Sequence, residues 1–306
     1  MIQKVAEDRT LGADERHASG SVQRWRGLGW LWSRSPLVIV GGTILLIMIL
    51  ASVLAPLLAP ADPIQPGFSQ RLEPVAGLGG SLEHPLGTDN LGRDILSRLL
   101  YGGRLSLGLT IVGVFLGALL GVSLGVTSGY VGGWADSLIM RVADVQLSFP
   151  IILLAITIVA VLGTSLRAIV GVLAISGWVL YARTVRATVL TIREEDYVEA
   201  AYALGASTPR IVLRHVVPNM WAPVLVIGSS QFATLVLLES GLSFLGLGVQ
   251  PPDPSWGNML AEGRDYLNNA WWLATIPGIA ISLVVLGANL LGDGLRDLLD
   301  PRLRQQ

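Results

Sequence analysis

LSLGLTIVGVFLGALLGVSLGVT, residues 105–127, contains no charged residue and, from Gly113 onward, carries a glycine at every fourth position. A helix rising about 1.5 Å per residue makes this run long enough to cross a hydrocarbon layer of about 30 Å. Gly113, Gly117, Gly121, Gly125 and Gly129 fall near one helical face, where the missing side chains let a second backbone approach closely. Tight helix packing is one reading of this stripe, and sliding of one helix along another is the sharper one.

Outward from this span, the same pattern recurs. Apolar runs at 37–59, 145–163, 168–182, 221–246 and 271–292 complete a set of six predicted transmembrane helices in an all-α integral membrane protein. The first follows a polar leader of 36 residues and is longer than the roughly 7–15 residues of a signal-peptide core, so a retained helix is expected. Composition agrees, with 52% apolar and 14% charged residues, against about 25% charged in an average soluble domain. The segments then read as an N-terminal tail (1–36), a first helix (37–59), an outer segment (60–104), a membrane core (105–293) with a polar loop at 184–219, and a C-terminal tail (294–306).

The basic residues set the expected orientation. With the N-terminus inside, 15 of 21 Lys and Arg residues fall on cytoplasmic segments, which places both termini and the 184–219 loop in the cytoplasm. No extramembrane segment exceeds roughly 50 residues, too few for a soluble ligand- or nucleotide-binding domain of ordinary size.

Several chemistries are disfavoured. The chain has no cysteine, and His17, His84 and His215 are scattered without metal-ligand spacing, so no metal site is expected. Its one lysine, Lys4, lies in the polar tail, so no phosphate-cradling GxxxxGK[ST] loop exists. A net charge of −1 gives no field for nucleic acid. A membrane-embedded hydrolase lacks a cysteine nucleophile or metal cluster. An ion-coupled carrier would bury more ionisable groups than the one found well inside a span, Glu239, which reads either as part of a translocation path or as an interhelical hydrogen-bonding group.

Two polar segments carry further information. DNLGRDILSRLLY, residues 89–101, is amphipathic and reads as an interfacial helix, with Thr88 or Asp89 as its cap and His84 a plain surface residue beside it. DYVEAAYALGASTPRIVLRHVVPN, residues 196–219, reads as helix, turn, helix. Tyr197, Ala200, Ala201 and Leu204 share a face, Gly205 ends the first helix, Ser207 or Thr208 caps a second that begins at Pro209, and Pro218 closes it. Such an element is either a plug for a groove on another protein or an amphipathic connector on the membrane.

The order Glu199-Ala200-Ala201, three residues, Gly205, nine residues, His215, then Pro218-Asn219 resembles the EAA loop of ATP-binding-cassette importer permeases. The general pattern ends Ile-x-Leu-Pro. The His215-Val216-Val217-Pro218 found here is similar to the peptide and nickel subgroup. GTDNLGRDILSRLLYGGRLSL (87–107), GYVGGWADSLIMRVADV (129–145), SFLGLGVQPPDPSWGNML (243–260) and NLLGDGLRDLLDPRLR (289–304) resemble the second permease subunit of dipeptide and oligopeptide importers in that subgroup.

The resemblance implies a type I importer transmembrane domain in a bacterial inner membrane. It would pair with a second homologous permease subunit, two ATPase subunits that carry ATP and magnesium, and an extracytoplasmic substrate-binding protein. The chain itself would bind no cofactor and catalyse nothing. Glu199, Ala200, Ala201 and Gly205 would dock on an ATPase, with Leu204, Ala206 and Ser207 in contact, and the 250–259 loop, Trp256 included, is a candidate contact for the binding protein. The subgroup's cargoes include peptides, nickel chelates, glutathione and opines.

Overall fold

The computed structural model describes residues 35–299, so nearly all of the expected N-terminal tail, and 300–306 of the C-terminal one, lie outside the described residues. Every regular element named among them is helical. Helix α1 (Pro36–Val53) starts with a proline in its first turn, where a missing N–H costs nothing, and is continued by the short α2 (Ala55–Leu58). Next come α3 (Ile95–Val131), α4 (Gly133–Leu147), α5 (Ile151–Leu162) and α6 (Leu166–Arg193). Two short helices, α7 (Asp196–Ala203) and α8 (Thr208–Ile211), precede a π-helical turn (Val212–Val216) and α9 (Val217–Phe244). The chain ends with α10 (Trp256–Arg264) and α11 (Trp272–Leu299).

Five stretches are long and apolar enough to cross a membrane, namely α1, α3, α6, the run Thr208–Phe244 and α11; α4 and α5, bent by 94° at their junction, make a sixth crossing if taken as one broken span. The residues between α2 and α3 form a cap at one end of the bundle, and α7 and α8 lie at the other.

The packing is inverted relative to a water-soluble bundle. In α3 most buried positions are small or polar, among them Ser106, Thr110 and the glycines from Gly113 to Gly129, while Phe115 is 65% exposed. Bulky apolar side chains turned outward suit a lipid surround, and small ones turned inward let backbones meet. The principal partner is α6. A methyl group placed on Gly121 would lie 2.3 Å from the Trp178 carbonyl oxygen, and one on Gly113 would lie 2.5 Å from Leu173 Cβ. Close packing is therefore the role the stripe plays in this conformation. The same device seats α1 on α11, where a methyl on Gly41 would lie 2.5 Å from the Gly287 carbonyl oxygen.

Several expectations change. The amphipathic run 89–101 is not a separate surface helix: Ile95 opens α3, which continues unbroken to Val131, and the polar half of the run is buried. Asp94 caps α3 by accepting the Ser97 N–H at 2.6 Å. Asp89 accepts Arg93 Nε at 2.6 Å and also binds Arg98, while Glu262 of α10 accepts Arg93 Nη2 at 2.9 Å and Arg98 Nη1 at 2.7 Å. Two carboxylates and two guanidiniums thus neutralise one another under the cap, which is why this face turns inward. His84 is no free surface residue either, since its ring nitrogens lie 3.0 Å from Asp94 Oδ1 and 3.1 Å from Gln70 Oε1.

The third and fourth spans also shift. Pro150, which lacks an N–H, starts α5 after the bend, so no straight helix covers 145–163. The fourth span is not confined to 168–182; α6 runs to Arg193 because its polar second half finds partners, Arg186 Nη2 donating to Asp136 Oδ2 at 2.6 Å and Arg183 to Asp144. Finally, Pro218 does not close the second short helix. The π-helical turn absorbs the hydrogen bond that a proline cannot donate, and the chain passes directly from α8 into α9.

Candidate functional site: the helix–turn–helix at 194–219

The loop is stiff at its base and exposed at its tip. Asp196 and Glu199 in the first turn of α7 complement the positive end of the helix dipole. At its other end the Gly205 N–H donates to the Tyr202 carbonyl at 2.9 Å and the Ala206 N–H to the Ala201 carbonyl at 3.0 Å. This pair of bonds is a Schellman motif, and it needs the left-handed conformation that Gly205 adopts at φ +80°. Ser207, in extended conformation, then starts α8, with Thr208 ahead of Pro209 as the first helical residue.

Val198 and Ile211, both fully buried, fix the two short helices to a core of Val185 and Val189 from the end of α6, Val216 from the π-helical turn and Met220 from the start of α9. The predicted contact residues divide accordingly. Glu199, Ala200, Leu204, Gly205 and Ser207 are exposed, and Ala201 and Ala206 are half-buried against that core. Leu204 is 88% exposed, an apolar side chain with nothing of its own chain to rest on. Tyr197 packs back onto the base of the loop: its ring lies 5.8 Å from the His215 ring, and its hydroxyl accepts a long 3.5 Å contact from Asn219 Nδ2, which also donates to the His215 carbonyl at 2.6 Å. His215 and Asn219 therefore brace α7, while Arg214 is exposed.

Beside α7 opens a groove of about 820 Å³ lined by Tyr130, Arg193, Glu194, Glu199, Tyr202 and Thr208. The hydroxyls of Tyr130 and Tyr202 meet there, and Arg193 Nη1 donates to the Tyr130 carbonyl at 3.3 Å. Sequence reasoning passed over Tyr130 and Arg193, because nothing near 196–219 in the chain points to them. No group of three metal-ligating side chains occurs among the described residues.

Glu239 lies far along α9 and belongs to no part of this loop. It is fully buried, and Ser243 Oγ donates to it at 2.9 Å with Ser240 Oγ at 3.4 Å. Both of these come from its own helix, and Ser106 of α3 approaches the carboxylate from across the helix interface. In the 250–259 loop, Pro251, Pro252 and Asp253 are exposed, but Trp256 is buried, its Nε1 donating to the Leu99 carbonyl at 2.9 Å. Trp256 is therefore an anchor for α10 and offers no outer contact surface.

Residues 106–305 match the family described as binding-protein-dependent transport system inner membrane component, and residues 24–74 match the N-terminal TM domain of oligopeptide transport permease C. The dipeptide transport system permease protein DppC of Alkalihalophilus pseudofirmus is 43% identical over 93% of this chain and 92% of its own length. The protein of that name from Escherichia coli K12 is 44% identical over 90% and 92%, and the di/tripeptide transport system permease protein DppC of Pseudomonas aeruginosa is 44% identical over 87% and 88%. A rigid exposed loop on a bundle of membrane-crossing helices, together with these matches over most of the chain, shows that the protein belongs to the family of binding-protein-dependent transport system inner membrane components.

Proposed function

We propose that the chain is one permease subunit of an ATP-driven importer of short peptides, and that the tip of the 194–219 loop seats in an ATPase subunit. The observation that carries this reading is the loop itself: a braced helix–turn–helix whose Leu204 and Gly205 protrude without a partner, on a chain similar over most of its length to permeases named for dipeptides. Glu199, Ala200, Ala201, Leu204, Gly205, Ala206 and Ser207 form the coupling surface. ATP and magnesium belong to the partner ATPases, the second half of the pathway to a homologous permease subunit, and cargo capture to an extracytoplasmic binding protein. The chain performs no catalysis. Both termini and the loop face the cytoplasm, in keeping with the excess of arginine on that side. Nickel chelates, glutathione and opines are the alternative cargoes within the same architecture.

The test is uptake of a labelled dipeptide by the four-component complex and its binding protein in proteoliposomes. Gly205→Arg distorts the turn and puts a bulky charge on the tip, so uptake and transport-linked ATP hydrolysis are expected to part company while the complex still assembles. Full uptake by that variant overturns the coupling role. Transport by the chain alone under an ion gradient overturns the ATP-driven reading.

A further inference from the structure

At the cap end, the first turns of α3, the segment after α2 and the loop before α10 line an open cavity of about 530 Å³. That size lies within the roughly 300–1,000 Å³ of small-molecule pockets. Its polar lining comprises Asp62, Tyr101, Arg104 and Asp253. Tyr101 and Arg104 stand three residues apart on α3 and so share one face. Arg104, Asp62 and Asp253 are exposed, and each aspartate is followed by a buried proline, Pro63 and Pro254, which fixes the backbone beside the carboxylate. Asp62 Oδ1 is held by the N–H groups of Ile64 at 2.7 Å and Gln65 at 3.2 Å, leaving Oδ2 open.

Charges of both signs therefore line one small cavity, yet no ion pair joins Arg104 to Asp62 or Asp253 among the described residues. Arg93 and Arg98, which precede Arg104 by 11 and 6 residues and are buried, are by contrast paired to Asp89 and Glu262. A ligand with an ammonium group at one end and a carboxylate at the other supplies the partner that each side lacks. A guanidinium takes a carboxylate through two parallel hydrogen bonds, two carboxylates suit one ammonium, and a phenol hydroxyl can bind the amide between them.

We infer that this cavity is a subsite for a zwitterionic short peptide at the mouth of the permease, with Arg104 on the free carboxylate and Asp62 and Asp253 on the free ammonium. The inference rests on the peptide-import reading above. It gives the permease a selection step of its own, after release from the binding protein.

The experiment uses the complete complex in proteoliposomes and delivers cargo as preloaded binding protein at equal occupancy, so that capture does not enter the rate. Three labelled peptides are compared: a free dipeptide, its C-terminal amide and its N-acetyl form. Arg104→Gln is expected to slow the free dipeptide about tenfold, toward the rate of the amide, with Arg104→Lys retaining part of the difference. Asp62→Asn with Asp253→Asn is expected to erase the difference between the free and N-acetyl forms. If Arg104→Gln does not assemble, the aspartate pair, which sits on exposed loops, decides the matter.

Wild-type discrimination retained in the variants overturns the subsite. So does an equal slowing of all three peptides accompanied by a higher binding-protein concentration for half-maximal ATPase activity, which would make the cavity a contact for that protein. Absence of peptide uptake by the wild-type complex instead removes the import reading, and the subsite with it.

Discussion

Arg98 is 3% exposed, and its two carboxylate partners are one near in the chain, Asp89, and one far, Glu262. Removing one member of a buried ion-pair group leaves another charge uncompensated, at a cost of about 3–5 kcal/mol. Arg98→Ala should therefore lower the yield of folded protein and its melting temperature in detergent, whereas Arg264→Ala, at a 62% exposed side chain, should leave both unchanged. Sequence alone could reach half of this group, since Asp89 and Arg93 are four residues apart. Glu262 lies 164 residues from Arg98, and no local pattern links them. Nearby, Glu73 Oε1 accepts the Ser81 N–H at 2.7 Å, and the hydrogen-bonding environment that Ser81 provides holds the Glu73 carboxyl below its ordinary value. A depressed carboxylate contributes stability that is complete above the unfolded value and lost as pH falls through the folded one. Acidification through and below the ordinary carboxylate range should thus speed protease cleavage within the cap, and Glu73→Gln should flatten that dependence.

Among the elements, α3 and α6 show how a glycine spacing becomes an energy. Side chains forced into a well-packed contact typically cost about 1–3 kcal/mol, and the Gly121 site offers backbone rather than a flexible neighbour at 2.3 Å. Gly121→Leu should destabilise the bundle by at least that much in a denaturation series, while Gly108→Leu, where nothing lies within 4 Å of the added carbon, should be neutral. The periodicity in 105–127 made this contact readable in advance because small residues leave a regular gap. The ends of α6 and α9 were not readable in the same way. Hydropathy falls at Arg183 and Arg186, yet the helix persists because Asp144 and Asp136 meet those charges from α4. Pro218 looked like a stop, and only the wider π-helical turn before it shows why the helix continues. In the loop, the turn at Gly205 followed from residue type, but the role of Tyr197 depended on His215 and Asn219 lying against it.

On the scale of the molecule, the cap and the 194–219 loop occupy opposite ends of the membrane-crossing helices, and the proposed topology assigns them to opposite faces of the membrane. The chain has no cysteine, so single substitutions give clean labels. Leu82→Cys, at an 88% exposed position in the cap, should react with an impermeant maleimide from outside intact cells. Leu204→Cys should react only in inside-out vesicles without bound ATPase; labelling of both from one side would refute the topology. The fold class was legible from apolar runs alone, and the opposed placement of these two ends follows from counting crossings. One consequence concerns leverage. From Thr208 to Phe244 the chain is a single rod of about 55 Å, loosened only at the π-helical turn and Pro223. At its far end, the Ser240 carbonyl lies so close to Gly257 of α10 that a methyl there would be 2.3 Å away. A tilt of about 5° imposed beside Leu204 swings that far end by about 5 Å. A displacement of the loop at one face should therefore be felt at α10 near the other, except for what the π-helical turn and Pro223 absorb.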